Sequence, residues 1–219
     1  MEQRITMKEK IGGGSYKDVY VSPERPGEVT IEFKRKLDNG QIKSAYYLNK
    51  IAHLLFPDNV PLLSVAGNTK KSFLRRQKSI IRAERIEHDP GHAKMQQLRA
   101  DKTSLDSGDT DFFTEQAKKE NDPDVKEFIN RAKVAGIFVD DGGVNYSKIP
   151  GGKVKYLDIN PAWAYEGHTM ILGFNADILA EAISNLPADK KGIAHGYFRN
   201  LNELVGLKQA ELDLLNKGK

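Results

Sequence analysis

Asp140–Asn160 reads DDGGVNYSKIPGGKVKYLDIN. Two carboxylates and an asparagine precede Pro150-Gly151, and a further carboxylate, Asp158, follows. Pro pre-sets a negative φ and Gly supplies a positive one, so the pair suits the centre of a type II turn. A hairpin closed there carries Asn145 and Asp158 to one end. Polar residues also decorate turns that do nothing further, so the rest of the chain has to decide what this hairpin is for.

Upstream, Val125, Phe128, Ile129 and Ala132 recur at helical spacing, which predicts a helix over 124–135 with Asp122 or Asp124 as N-cap and Gly136 near its end. The stretch 88–123 holds two prolines, two glycines and the tract DSGDTDFFTEQAKKENDPD, and is expected to be a surface excursion with one short helix. The first third reads as strands over 4–11, 19–22 and 29–36, separated by GGGS, PERPG and a DNG turn signal. Val29, Ile31 and Phe33 alternate with Thr30, Glu32 and Lys34, the period of a half-buried strand. Ala45, Leu48, Ile51, Ala52 and Leu55 then mark a helix over 42–56 that stops at Pro57. Strand character returns near 62–65, 72–74 and 79–85, and helices are expected over 176–185, 189–199 and 201–215. Strands with one helix, then helices with one hairpin, imply an α+β chain of two unlike lobes with a cleft between them.

The 219 residues suffice for one domain or two small lobes, and 39% apolar residues suffice for a core. The chain contains no cysteine, which excludes disulfides, thiolate metal sites and thiol nucleophiles. No apolar run approaches the roughly 18 residues of a membrane span, and MEQRITMKEK lacks a signal-peptide core. The expectation is a cytoplasmic protein with no membrane partner. Net charge is only +4, but it is unevenly spread. Lys70, Lys71, Arg75, Arg76, Lys78, Arg82 and Arg85 face one acid, Glu84, within 69–85, and acids dominate 101–124. The basic segment has the charge of a nucleic-acid contact, and equally that of two strands with long cationic side chains outward.

IGGGSYKDVY, residues 11–20, places three glycines and Ser15 between two predicted strands. Glycine lets backbone N–H groups approach a phosphate with no Cβ in the way, and a glycine hairpin turn has the same composition. No GxxxxGK[ST] loop is present, and a strand follows the glycines where a dinucleotide fold needs a helix.

Together these pieces resemble the protein-kinase-like fold, over about residues 10–163. Gly12, Gly14, Ser15, Tyr16, Val19 and Tyr20 match its G-x-G-S-Y-x-x-V-Y loop, with Lys17 in place of the third glycine. Asp140 and Asn145 are spaced as in its catalytic loop, and Asp158 follows as the metal-binding Asp, led in by Lys155-Tyr156-Leu157. The resemblance implies an N-lobe-like nucleotide-binding part over 1–86 and a C-lobe-like part over 87–219 that carries the acidic excursion 101–124. It implies ATP and Mg²⁺ as cofactors. Gly12, Gly13, Gly14 and Ser15 would cover the phosphates, Lys34 would contact them, and Glu84–Ile86 would form the adenine hinge. Asn145 and Asp158 would bind metal, and Asp140 would act as base, with Asp141 as its alternative. The acceptor is open.

The sequence departs from that pattern at several points. Phe138 and Val139 stand where the family has His and Arg, Ile159-Asn160 follows Asp158 where the family has Phe-Gly, and no Asp or Glu lies between Asn39 and Pro57 to pair with Lys34. Asn49, His53 or an acid from elsewhere in the chain would have to substitute. The departures keep a second possibility open, a catalytically weak pseudokinase-like module that binds nucleotide or protein. Of the five histidines, His88 and His92 are four apart, but Pro90-Gly91 between them argues against a zinc pair. Trp163 reads as core.

Overall fold

The computed structural model describes residues 9–13, 17–22, 24–33, 37–65, 80–100, 110–139, 142–166 and 169–217. The alternation at Val29, Ile31 and Phe33 folds as strand β3 (Glu28–Phe33) and buries all three on one face. Around it lie β1 (Lys10–Gly13), β2 (Lys17–Val21), β4 (Leu63–Val65) and β5 (Ile80–Glu84), in an antiparallel sheet of order β1-β2-β3-β5-β4. The cationic residues 70, 71, 75, 76 and 78, and the strand expected at 72–74, lie outside the described residues.

Helix α1 (Asn39–Leu55) enters between β3 and β4. It begins three residues before the expected Ile42 because Asp38 and Gln41 form a capping box: Gln41 N–H donates to Asp38 Oδ1 at 2.7 Å, and Asp38 N–H donates to Gln41 Oε1 at 3.2 Å. Ile42 and Ala45 pack under the sheet with Ile31, Phe33 and Ile81, while Leu48, Ile51 and Ala52 belong to the larger core of the C-terminal part. One helix therefore serves both halves of the molecule.

The C-terminal part contains α2 (Pro90–Ala100), α3 (Thr110–Glu120), α4 (Pro123–Val134), hairpins β6 (Tyr146–Lys148)–β7 (Val154–Tyr156) and β8 (Trp163–Glu166)–β9 (Thr169–Leu172), then α5 (Ala176–Ser184) and α6 (Ala188–Lys217). The whole is α+β, with an N-terminal antiparallel sheet and a mostly helical remainder. Among the described residues no helix is long and apolar enough to cross a membrane.

Three expectations are corrected. The described residues of the excursion 88–123 form two helices, α2 and α3, and bury Met95 and Phe112; two apolar anchors in a polar stretch were too sparse to show a period. The expected break at Asn200 does not occur: Ala194, Tyr197, Phe198, Leu201, Leu204 and Val205 form one stripe against the core, so α6 runs on for 30 residues. There it packs along α1, with Tyr197 edge-on to Tyr46 at 6.3 Å. The second hairpin, β8–β9, was also missed, because only Trp163 on β8 faces inward. The α4 helix falls where expected, capped by Asp122, whose side chain accepts from Asp124 N–H at 3.0 Å.

Candidate nucleotide and metal site

Pro150-Gly151 does close the hairpin. Gly152 N–H donates to Ile149 O at 3.0 Å, Gly151 has φ 91°, and Tyr146 pairs with Tyr156 across the ladder. Beyond the ladder, Leu157 N–H donates to Asn145 O at 2.7 Å, which brings Asn145 beside the chain entering Asp158. The next residues are fastened to α1. Ile159 is buried in the core beneath the sheet, and Ala162 N–H donates to Ser44 Oγ at 3.0 Å. Asp158 is thus held by both halves of the molecule.

Its carboxylate is engaged on both oxygens. Asn160 Nδ2 donates to Oδ2 at 2.6 Å, and Lys17 Nζ lies 2.5 Å from Oδ1. Lys17 opens β2, opposite Phe33 of β3, so the two side chains share the inward face of the sheet. Gly12 and Gly13 form the end of β1, paired with Val19 and Asp18. The ion pair therefore joins the glycine-bearing hairpin to the hairpin end that holds Asn145, across 141 residues of sequence. Both side chains are well shielded, at 14% and 19% exposure, where a charge pair is screened less than at a surface.

Gly14, Ser15, Lys34, Asp140 and Asp141 lie outside the described residues. Glu84 ends β5; its N–H donates to Leu62 O at 3.1 Å, and its side chain pairs with buried Lys155 at 3.3 Å. Arg85 N–H is likewise spent on Gly27 O at 2.8 Å, which leaves Ile86 as the member of the expected hinge that lies beyond the strand pairing. His53 is committed elsewhere, with Nδ1 2.7 Å from Val60 O. Asn49 is 7% exposed, and its Oδ1 meets no donor among the described residues. Asn49 and Asp158 are polar members of the wall of a cavity of about 320 Å³, otherwise formed largely by apolar groups including Ala45, Ala52, Phe56, Phe128 and Ile137. A larger, open groove of about 750 Å³ runs along α6 by His195 and Arg199, and none of these motifs lines it.

The hairpin has a second support that sequence reasoning did not find. Asp89, just before α2, accepts from Lys119 Nζ at 2.5 Å, Lys148 N–H at 2.8 Å, His92 N–H at 2.9 Å and Ser147 Oγ at 3.1 Å. Burial pushes its carboxyl pKa up, but these donors outweigh that and hold it well below the usual range. The signal was available: Asp89-Pro90 is an N-cap followed by proline at N1. Beside it, His92 is 1% exposed, with Nδ1 donating to Tyr146 O at 3.2 Å and Nε2 accepting from Gln96 at 3.2 Å. His88 stacks on it, ring centroids 4.3 Å apart, so these histidines build structure.

Burial, with His88 and Lys119 adding to it, lowers the His92 pKa from 6.5 to about 4. Above pH 6.5 the ring is neutral folded or unfolded. Below that the unfolded chain takes up a proton that the folded chain refuses, so stability falls until about pH 4, by about 3 kcal/mol in all. Urea unfolding between pH 7 and 4.5 checks this: the wild type is expected to weaken through that window, and His92→Gln to lose that part of the slope.

No protein-family model matches the chain, and no curated protein matches it. Among the described residues no group of three or more His, Asp or Glu side chains is placed to hold a metal ion. Asp158 and Asn145 offer carboxylate and amide oxygens of the kind that hard Mg²⁺ accepts when substrate phosphates supply further ligands, and the tie located between them is the backbone bond from Leu157 to Asn145. Lys17 already puts a cation against one of those oxygens.

Proposed function

We propose that the chain is a divergent kinase-like phosphotransferase using ATP and Mg²⁺, with residues 1–86 as the nucleotide-binding part and 87–219 as the part carrying the catalytic hairpin. The observation that carries this reading is the Lys17–Asp158 contact. It joins the glycine hairpin to Asp158, the two motifs a phosphoryl-transfer site needs on opposite sides of a nucleotide.

In this reading Gly12–Ser15 covers the phosphates, Lys34 contacts them, and the chain near Glu84 and Ile86 borders the base. Asn145 and Asp158 hold the metal, which when bound offsets phosphate charge. Asp140 orients the acceptor hydroxyl and takes its proton as the acceptor oxygen bonds to the γ-phosphorus and ADP leaves. Positioning dominates such chemistry. The tie from Leu157 to Asn145, the Asp89 cluster and the anchor at Ser44 are what this chain contributes to it. The acceptor is a small molecule or a protein, and nucleic-acid contact is the alternative reading of the basic segment. Arg82 of that segment lies 3.9 Å from Glu28, which offsets its charge.

The test is metal-dependent release or transfer of the γ-phosphoryl group. Asp158→Ala is expected to lower it by at least about 100-fold, as loss of preorganised charge stabilisation does. Equal turnover in wild type and variant would remove the proposal. A second reading, a module that binds nucleotide with little turnover, draws on the absence of any acid in α1. Its signature is ATP affinity in the wild type without phosphoryl transfer.

A further inference from the structure

The proposed site needs a cation for the phosphates, and the geometry points to Lys17 as one that supplies it, a role the glycine-loop pattern does not give to this position. The inference rests on the proposed function and deepens it. Lys17 occupies the place where the loop pattern has its third glycine, immediately after the segment that would cover the phosphates. A side chain there that faced solvent would be a plain surface lysine. This one lies on the inward face beside Phe33 at 14% exposure, with its ammonium on Asp158.

Two consequences follow. With no ligand present, Lys17 neutralises Asp158 and competes with any divalent cation for that carboxylate. With a nucleotide present, the same ammonium lies at the boundary between the glycine hairpin and the metal-binding Asp, where triphosphate oxygens gather, and it exchanges a carboxylate partner for a phosphate one. A lysine ammonium, a compact charge on a flexible four-carbon stem, suits such an exchange. The absence of an acid in α1 fits this division of labour, since Lys17 is positioned by Asp158 itself.

The experiment measures three affinities in wild type, Lys17→Met and Lys17→Arg: Mn²⁺ alone by the resonance signal of the free ion, ATP with Mg²⁺ by calorimetry, and adenosine by calorimetry. Lys17→Met is expected to bind Mn²⁺ more tightly, because its competitor is gone. It is expected to bind ATP about tenfold or more weakly, because a charge-assisted contact is lost, and adenosine unchanged. Lys17→Arg keeps most of the ATP affinity. A merely structural lysine would move all three downward together in Lys17→Met, and that result, or unchanged ATP affinity, would overturn the assignment. A wild type that binds neither ATP nor adenosine would overturn the kinase-like reading itself. A wild type that binds both while Lys17→Met does likewise overturns only the role of Lys17.

Discussion

Replacing Asp140 by alanine is expected to cut ATP-dependent phosphoryl transfer by about 10²–10⁴-fold, the range that positioned general bases contribute. Affinity for ATP and Mg²⁺ should stay within about threefold of wild type, because the residue is assigned to the acceptor's proton and not to the nucleotide. The division between binding and turnover separates this expectation from general damage. Turnover followed under saturating ATP, with ATP affinity measured in parallel, checks it. If Asp140→Ala loses both together, the base role is wrong, and Asp141→Ala becomes the variant to compare.

The second large effect is one of stability. Gly136 ends α4 at φ 77°, with its N–H donated to Lys133 O at 3.0 Å and its carbonyl accepting from Asn175 N–H at 2.8 Å. A Cβ added there would stand 2.8 Å from Leu179 N and 2.9 Å from Asn175 O, both backbone atoms of the following helix and its cap. Alanine therefore meets a left-handed conformation costing about 1–2 kcal/mol and a clash costing about 1–3 kcal/mol more. A loss near 3 kcal/mol lowers the melting temperature by roughly 6–12 °C for a chain of this size. The same glycine starts the segment that pairs Ile137 with Phe174. Thermal unfolding of Gly136→Ala checks this. A change under about 1 kcal/mol would mean that the helix junction yields easily.

What was legible in the sequence was local. The period-two run at Val29–Phe33, the stop at Pro57, the Asp122 cap and the Pro150-Gly151 turn each depend on residues within a few positions of one another, and each folds as expected. The early start of α1 was hidden because Asp38-Asn39-Gly40 carries a turn signature that the capping box overrides. Helices α2 and α3 were hidden because their burial rests on isolated anchors and on ion pairs such as Lys119–Asp89, between residues 30 apart in sequence. The hairpin itself was legible by spacing: Pro150-Gly151 closes it, and Leu157, the neighbour of Asp158, bonds to the Asn145 carbonyl. The partner of Asp158 was not. Lys17 looked like a substituted loop residue, and only the folded sheet turns it inward across the molecule.

The most direct test of the central proposal, that the chain binds a nucleotide with its metal where Lys17 meets Asp158, is thermal unfolding of the wild-type chain with ATP, with Mg²⁺ and with both. Ligand at about 100 times its Kd adds about 2.7 kcal/mol, a rise of roughly 5–10 °C at this chain length. The expected result is a rise of that size with both present, and little with either alone. Superimposed unfolding curves at millimolar ATP and Mg²⁺ would contradict the claim.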